Sequence, residues 1–318
     1  LLELSLVIPI FNESESIPFL YKELQEALRW IPGSGYEIIF VDDGSSDNSL
    51  ELLKNMQHSD RQIVVISLRR NFGQTAALAA GFDHATGKYV ATLDADLQND
   101  PADIQKMVLK LQEGYDLVCG WRFERKDSYL SRRLPSILAN KLISFITKVK
   151  LHDYGCTLKV FRKELVSLIQ LYGEMHRFVP ALASGKGAKI AEVKVNHRPR
   201  KYGSSKYGIT RTPKVILDLL TVKFLLDYST RPIQVFGLTG IFSILVGGSI
   251  FLGLVIQRQF FDIALANRPM LLFAILLLFI GLQFITMGLL GELQIRTYHE
   301  SQQKPIYVIR KTYHKKAD

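Results

Sequence analysis

Cysteine is scarce. The chain has two in 318 residues, Cys119 and Cys156, too few to staple a fold and without the paired spacing of a zinc site. Both read as small core residues of a protein kept in a reducing compartment. No G-x-G-x-x-G follows the first apolar run, which argues against a dinucleotide site. Gly87-Lys88 lacks the earlier glycine of a phosphate-binding P-loop, no H-E-x-x-H occurs, and the seven histidines are scattered. The start of the chain does not read as a signal peptide, because Glu3 interrupts a short apolar run of strand character. Acidic residues are outnumbered, 30 against 40 Lys plus Arg, for a net charge of +10. With 47% hydrophobic residues the chain is not disordered. No nucleic-acid module or stacking-aromatic motif accompanies the positive charge, so nucleic acid is not an expected partner.

The apolar residues are concentrated late in the chain. Residues 234–257 and 270–291 contain no charged residue. At ~1.5 Å per residue these runs reach about 36 and 33 Å, enough for a hydrocarbon core of ~30 Å. Glycines stud the first run (Gly237, Gly240, Gly247, Gly248, Gly253) and suggest close helix packing. Lys214, Lys223 and Arg231 precede the pair of spans, and Arg296, Lys304, Arg310 and Lys311 follow it. The connection carries only Arg258 and Arg268 with Asp262. That bias predicts both flanks in the cytoplasm and a two-span protein of the cell inner membrane. Residues 213–230 are apolar over most of a helical circumference and suit the membrane interface. The basic stretches 198–214 and 304–316 suit anionic headgroups. The expected domains are 1–207 for catalysis, 208–233 for interfacial helices, 234–291 for a transmembrane hairpin and 292–318 for a cytoplasmic tail.

In the first two hundred residues, short apolar runs alternate with helical patterns. Residues 4–10, 36–41, 62–68 and 88–93 read as buried strands. Residues 17–30, 47–57, 74–84 and 101–113 read as helices, with Ser46 or Asp47 capping the second and Asp100-Pro101 opening the fourth. The alternation predicts an α/β fold with a mostly parallel sheet covered on both faces. Ligands of such sheets bind beyond the carboxyl ends of the strands. Three acidic clusters stand there: Asn12-Glu13, Asp42-Asp43 and Asp94-Ala95-Asp96. Clustered carboxylates repel one another, and a bound cation relieves that cost. Asp94 and Asp96 share one face of extended backbone. With the Gln98 amide oxygen they make a hard-oxygen set suited to Mg²⁺ or Mn²⁺, with room for ligand phosphates.

Four stretches in order, VIPIFNE (7–13), VDDGS (41–45), RNFG (70–73) and DADLQNDP (94–101), resemble glycosyltransferase family two with its GT-A nucleotide-sugar fold. The likeness covers roughly residues 4–207. Gly120-Trp121-Arg122, DYGC (153–156), KVFR (159–162), RKYGSSKY (200–207), the two spans, Gly291-Glu292-Leu293 and KPIY (304–307) narrow it to the polyprenyl-phosphate glycosyltransferases. The resemblance implies a base and ribose pocket at Pro9, Phe11 and Glu13, with Asp42 or Asp43 reading uracil or ribose. It implies that Asn71, Gly73 and Ala95 line the nucleotide sugar, and that Asp94, Asp96 and Gln98 hold the metal. Arg122, Arg132, Arg133 and Arg200 would face the acceptor phosphate, with Ser205 and Lys206 closing over donor or acceptor. Asp153 takes the general-base position, or else orients an arginine or a sugar hydroxyl. Gln74 stands where this motif suggests lysine, with no functional consequence assigned.

The implied reaction is inverting transfer of a hexose, glucose from UDP-glucose being the expected donor, to polyprenyl phosphate such as undecaprenyl phosphate. Mannose and modified arabinose are the alternatives for the sugar. A processive polysaccharide synthase, a non-catalytic membrane scaffold and a transporter are the rival classes, and a homo-oligomer is left open. The synthase's Q-x-x-R-W motif is absent, since the only Arg-Trp pair is Arg29-Trp30 with Glu26 before it. The intact Asp94/Asp96 pair argues against the scaffold.

Overall fold

A computed structural model describes residues 2–33, 35–123, 140–141, 143–145, 147–169, 171, 175–199, 223, 233–261, 264, 268–301 and 309–313. Arg132, Arg133, Arg200, Ser205 and Lys206, and the interfacial segment 213–230 apart from Lys223, lie outside the described residues. The chain divides into two compact units, Leu1–Val222 with Pro305–Asp318, and Lys223–Lys304.

The first unit is built on one eight-stranded sheet. Its first half alternates strand and helix: β1 (Leu4–Ile10), α1 (Ile17–Ala27), β2 (Tyr36–Asp42), α2 (Ser49–Ser59), β3 (Ile63–Leu68), α3 (Gln74–His84), β4 (Tyr89–Thr92) and α4 (Asp103–Gln112). There follow β5 (Leu117–Arg122), β6 (Lys159–Arg162), α5 (Lys163–Leu168), a 3₁₀ turn Met175–Arg177, α6 (Val179–Gly185), β7 (Ile190–Val195) and, late in the chain, β8 (Ile309–Tyr313). The strand order is β7-β5-β6-β4-β1-β2-β3-β8. Strands β4, β1, β2 and β3 run parallel, as do β5 and β7, while β6 and β8 pair antiparallel with their neighbours. The result is the mostly parallel, mixed α/β sheet of a GT-A-like fold.

Strands β1 and β2 are buried on both faces, which is why their sequences are nearly continuous apolar runs. Helix α1 sends Ile17, Leu20 and Leu24 into the core, and α4 sends Ile104, Met107, Val108 and Leu111. These spacings follow the helical repeat. Cys119 and Cys156 are free and buried.

Several expected boundaries move. Helix α1 stops at Ala27 rather than Trp30. Helix α2 begins at Ser49 with Asn48 as N-cap, while Asp47 Oδ1 accepts from the Ser49 amide at 3.0 Å. Helix α4 begins at Asp103, with Asp100 Oδ1 taking the Ala102 amide at 3.1 Å. Residues 309–313, expected within a tail, form strand β8 against β3, Val65 opposite Tyr313 and Leu68 opposite Ile309.

The second unit contains two long helices, α7 (Ile233–Phe261) and α8 (Pro269–Ser301). Within them Gln234–Phe261 and Pro269–Gly291 are long and apolar enough to cross a membrane, with mean hydropathy 2.2 and 2.5. Leu238, Phe242 and Leu272 are 70, 69 and 73% exposed, so these helices are not the core of a soluble unit, and lipid is the solvent that suits them. A Cβ on Gly240 would stand 2.6 Å from the Gly281 carbonyl oxygen, and one on Gly247 would stand 2.9 Å from that of Ala274. Small residues thus let the two backbones touch. The close packing suggested by the glycines falls at Gly240 and Gly247, whereas Gly248 and Gly253 have no near neighbour.

Candidate active site

The parallel strands end in register. Ile10 lies opposite Asp42, Asp42 opposite Ser67, and Val7 opposite Thr92. The segments that follow β1, β2, β3 and β4 therefore emerge along one edge of the sheet. Connections from β1 pass to β2 and β3 on one side, while β4 lies on the other, which makes the crevice above β1 a topological switch point.

The loops after β1 and β2 are laced together. The Asn12 amide donates to Ser45 Oγ at 3.0 Å and the Glu13 amide to Ser49 Oγ at 3.0 Å. Asn12 Oδ1 accepts from the Ser46 amide at 2.8 Å. Asn12 has φ 52°, a left-handed conformation that asparagine tolerates well. Pro9, Phe11 and Glu13 are half-buried beside this seam.

Asp42 and Asp43 are buried at 1 and 3% exposure. Asp42 accepts from the Ser45 amide at 3.2 Å. Asp43 reaches the next loop, its Oδ1 accepting from the Phe72 amide at 2.8 Å and its Oδ2 from the Gly73 amide at 2.9 Å. Burial pushes both carboxyls above the usual range, against the pull of these bonds. Gly44 has φ 70°, and a Cβ there would stand 2.5 Å from the Arg70 carbonyl carbon. Only glycine lets the two loops pass this closely. Asn71 is exposed at the rim.

Beyond β4, Ala95 and Asp96 are buried and Asp94 is partly exposed. Burial first, and then the charge of Asp96, raises the Asp94 carboxyl well above its ordinary range. A hydrogen bond with Thr157 and the charges of Lys159 and Arg122 pull it back. Thr157 is itself fixed, its hydroxyl accepting from Asn99 Nδ2 at 3.1 Å and its carbonyl from Thr92 Oγ1 at 2.6 Å. Lys159 is buried and donates to the Cys156 carbonyl. Asp96 Oδ1 takes the Gln98 amide at 3.1 Å, closing a turn in which Leu97 is forced to φ 61°. That conformation costs about 1–2 kcal/mol for a residue with a Cβ, a strain that the surrounding bonds hold in place. Gln98 Nε2 donates to the Arg198 carbonyl at 3.4 Å, which leaves Oε1 as the acceptor end of the amide.

A divalent cation fits this donor set. Among the described residues no group of three or more His, Cys, Asp or Glu gathers. A cation would take two carboxylates and the Gln98 oxygen from the protein, and the rest of its shell from a bound ligand. All are hard oxygens, and the repulsion between Asp94 and Asp96 is the cost that a cation would remove.

Arg122, at the end of β5, pairs with Asp153 through Nε to Oδ2 at 2.7 Å and Nη2 to Oδ1 at 2.9 Å. The side chains are 15 and 4% exposed. Burial works against the guanidinium charge, and the Asp153 bonds more than reverse that, so Arg122 is held protonated beyond its ordinary range. Asp153 also takes the Gly155 amide at 3.1 Å, and its own amide donates to Glu192 Oε1 at 3.0 Å. The structure therefore brings Asp94, Asp96, Arg122 and Asp153 into one electrostatic neighbourhood.

Sequence reasoning passed over four participants. Gln74 Nε2 donates to Asp94 Oδ1 at 2.8 Å, Thr157 and Lys159 act on the same carboxylate, and His176 Nδ1 bonds Thr75 Oγ1 at 2.8 Å. Gln74 directly after the RNFG stretch and Lys159 at the head of KVFR stood beside or within motifs, with no role assigned to either. The others are brought in by β6 and the 3₁₀ turn from far along the chain.

Comparison with known proteins agrees with this architecture. Residues 5–169 match the profile described as Glycosyl transferase family 2. The chain is 44% identical over 316 residues to the dodecaprenyl-phosphate galacturonate synthase of Rhizobium johnstonii, covering 98% of this chain and 93% of that one. Among solved structures it resembles glucosyl-3-phosphoglycerate synthase from Mycobacterium tuberculosis, in complex with Mn²⁺ and uridine-diphosphate-glucose. The TM-score is 0.53 at 17% identity, over 70% of this chain and 78% of that one. It also resembles S. aureus TarS 1–349 in complex with UDP-GlcNAc, with a TM-score of 0.50 at 16% identity over 70 and 67% of the two chains.

Proposed function

Because the chain belongs to glycosyl transferase family 2, we propose that it moves a sugar from a nucleoside-diphosphate donor to the phosphate of a polyprenyl phosphate at a membrane surface. The observation that carries the reading is the Asp94/Asp96 pair, a half-buried and a buried carboxylate held against their own repulsion at the carboxyl edge of the sheet, in a chain that also carries two exposed apolar helices. The relative from Rhizobium makes a polyprenyl-phosphate galacturonate. In this reading a hexuronic acid, galacturonate, replaces the glucose expected from the sequence, and UDP-glucose becomes the competing donor.

The nucleotide lies over β1 and β2, where Pro9, Phe11 and Glu13 flank the base and ribose and Asp42 or Asp43 reads their polar edge. Asn71, Gly73 and Ala95 line the donor. Asp94, Asp96 and Gln98 would hold Mg²⁺ or Mn²⁺ against its diphosphate. When bound, that ion supplies Lewis-acid neutralisation of the departing diphosphate.

The acceptor is an anion approaching an anionic donor, so it needs a fixed positive charge. Arg122 supplies it, and Asp153 holds the guanidinium in one orientation with both carboxylate oxygens. A phosphate monoester has its second pKa near ~6 and is largely dianionic at neutral pH. It attacks without surrendering a proton to a strong base, so Asp153 serves here as the orienting partner of Arg122. Attack on the face opposite the leaving diphosphate inverts the anomeric carbon. Arg132, Arg133, Arg200, Ser205 and Lys206 are assigned to the acceptor phosphate by sequence likeness.

Strands β1 and β8 belong to one sheet although α7 and α8 separate them in sequence. That supports both flanks of the hairpin on one side of the bilayer, the cytoplasmic side of an inner membrane by the charge bias. The test incubates the full-length protein with polyprenyl phosphate and UDP-galacturonate, UDP-glucose, GDP-mannose or a UDP-aminoarabinose, with and without chelator. Chromatography of the lipid is expected to show one hexuronate per lipid, formed only without chelator. Absence of any sugar–lipid overturns the enzymatic reading, and a glucose–lipid overturns the choice of sugar.

A further inference from the structure

Three consecutive residues at the start of α3 are each tied to a different part of the site. The Gly73 amide is held by Asp43 Oδ2 at 2.9 Å. The Gln74 side chain donates to Asp94 Oδ1 at 2.8 Å. The Thr75 hydroxyl bonds His176 Nδ1 at 2.8 Å, both residues being buried. The backbone on either side of Gln74 is thus pinned, by the loop after β2 through Asp43 and by the 3₁₀ turn Met175–Arg177 through His176. With its neighbours anchored on both flanks, Gln74 reaches Asp94 from a fixed point of the backbone, and only its own side-chain rotamers remain to be ordered by the bond.

We infer that Gln74 is a positioning residue for the divalent cation: its neutral amide N–H fixes the rotamer of Asp94, so that the carboxylate is set for an ion before one arrives. The inference rests on the cation reading above. Three facts favour an amide here. A hydrogen bond to an ionised carboxylate is stronger than one between neutral groups. The amide adds no positive charge where a cation must bind. And Thr157, itself held by Asn99 Nδ2 at 3.1 Å, is a second neutral group that acts on the same carboxylate, so Gln74 adds a neutral donor beside it. Partners of this kind behind metal ligands typically contribute about 10–100-fold in metal affinity.

The experiment measures Mn²⁺ binding by electron paramagnetic resonance on the full-length protein in detergent, without lipid acceptor. The samples are the parent, Gln74→Leu, Gln74→Lys and Thr75→Val, with Thr75→Ser as conservative control and thermal melting to verify folding. Gln74→Leu keeps the size and loses the donor, and is expected to weaken Mn²⁺ by about 10–100-fold while its melting temperature stays near that of the parent. Gln74→Lys keeps a donor, the one this motif suggests, and is expected to hold Mn²⁺ more tightly than Gln74→Leu, which a packing role would not produce. Thr75→Val is expected to weaken Mn²⁺ by a smaller factor and Thr75→Ser to behave as the parent. Parent-like Mn²⁺ affinity in Gln74→Leu, or Gln74→Lys no better than Gln74→Leu, overturns the inference and leaves the cation reading standing. A folded parent that binds no Mn²⁺, with or without nucleoside diphosphate, overturns both.

Discussion

Arg122 and Asp153 meet fork to fork, two parallel N–H···O bonds at 2.7 and 2.9 Å between side chains that are 15 and 4% exposed. The pair joins the end of β5 to the segment before β6, so the charge proposed to meet the acceptor is fixed by residues far apart in sequence. Removing one partner of a buried pair leaves the other uncompensated at a cost of about 3–5 kcal/mol, which makes Asp153→Ala chiefly a folding experiment. Asp153→Asn is more informative. It is expected to lower kcat by about 10²-fold through misplacement of Arg122 and to keep the acid limb of the pH–rate profile. Combined with Arg122→Gln, it should cost little more than either change alone, because the two act as one unit. Loss of the acid limb in Asp153→Asn would restore the general-base assignment.

Asp94 and Asp96 are kept together at the expense of stability, since burial and mutual repulsion both oppose charge at Asp94. Asp94→Asn and Asp96→Asn are therefore expected to have opposite effects on activity and folding. Sugar transfer and Mn²⁺-dependent donor binding should vanish. The metal-free protein should melt higher, by about 2–4 °C for each kcal/mol of repulsion relieved. Calorimetry in chelator, beside a transfer assay, checks both halves. Chelator alone should silence the parent enzyme, and added Mg²⁺ or Mn²⁺ should revive it.

Gly44 combines φ 70° with a Cβ direction that points into the Arg70–Asn71 backbone, 2.5 Å from the Arg70 carbonyl carbon. Gly44→Ala must push the RNFG loop away from Asp43, loosening the bonds to Phe72 and Gly73. The expected outcome is a loss of about 1–3 kcal/mol in stability and weaker nucleotide binding. Thermal denaturation and nucleoside-diphosphate titration measure these two effects.

Deleting residues 309–318 strips β8 from β3 and uncovers the row of backbone groups along Val65–Leu68. An open parallel edge of this kind pairs readily with other chains. The truncated protein is expected to melt lower and to self-associate, while the apolar helices still partition into detergent. Light scattering beside the melting curve reads this out.

Much of the first unit was legible because parallel strands buried on both faces leave an unmistakable apolar run. Strand β1 and helix α3 keep the bounds read from sequence. The acidic strand ends were legible for the same reason, since chemistry on such sheets follows the strands. What escaped the reading depends on tertiary pairing. Strand β8 reads Ile-Arg-Lys-Thr-Tyr, a charged stretch with little strand signature, and it forms only because β3 offers an edge. The bond from Gln74 to Asp94 crosses from α3 to the segment after β4, a contact that no local pattern encodes. Trp30 drops out of α1 because the helix ends at Ala27, with the Leu28 amide still closing the last turn on the Leu24 carbonyl.

The position of β8 has a consequence for biosynthesis. A ribosome releases this strand only after both apolar helices have emerged, so the edge of the sheet stays open throughout translation of the hairpin. Completion of the catalytic unit is thereby made to wait for the anchor. A nascent chain interrupted within the apolar helices carries an unfinished sheet, and the sheet closes only when both of those helices have already been made.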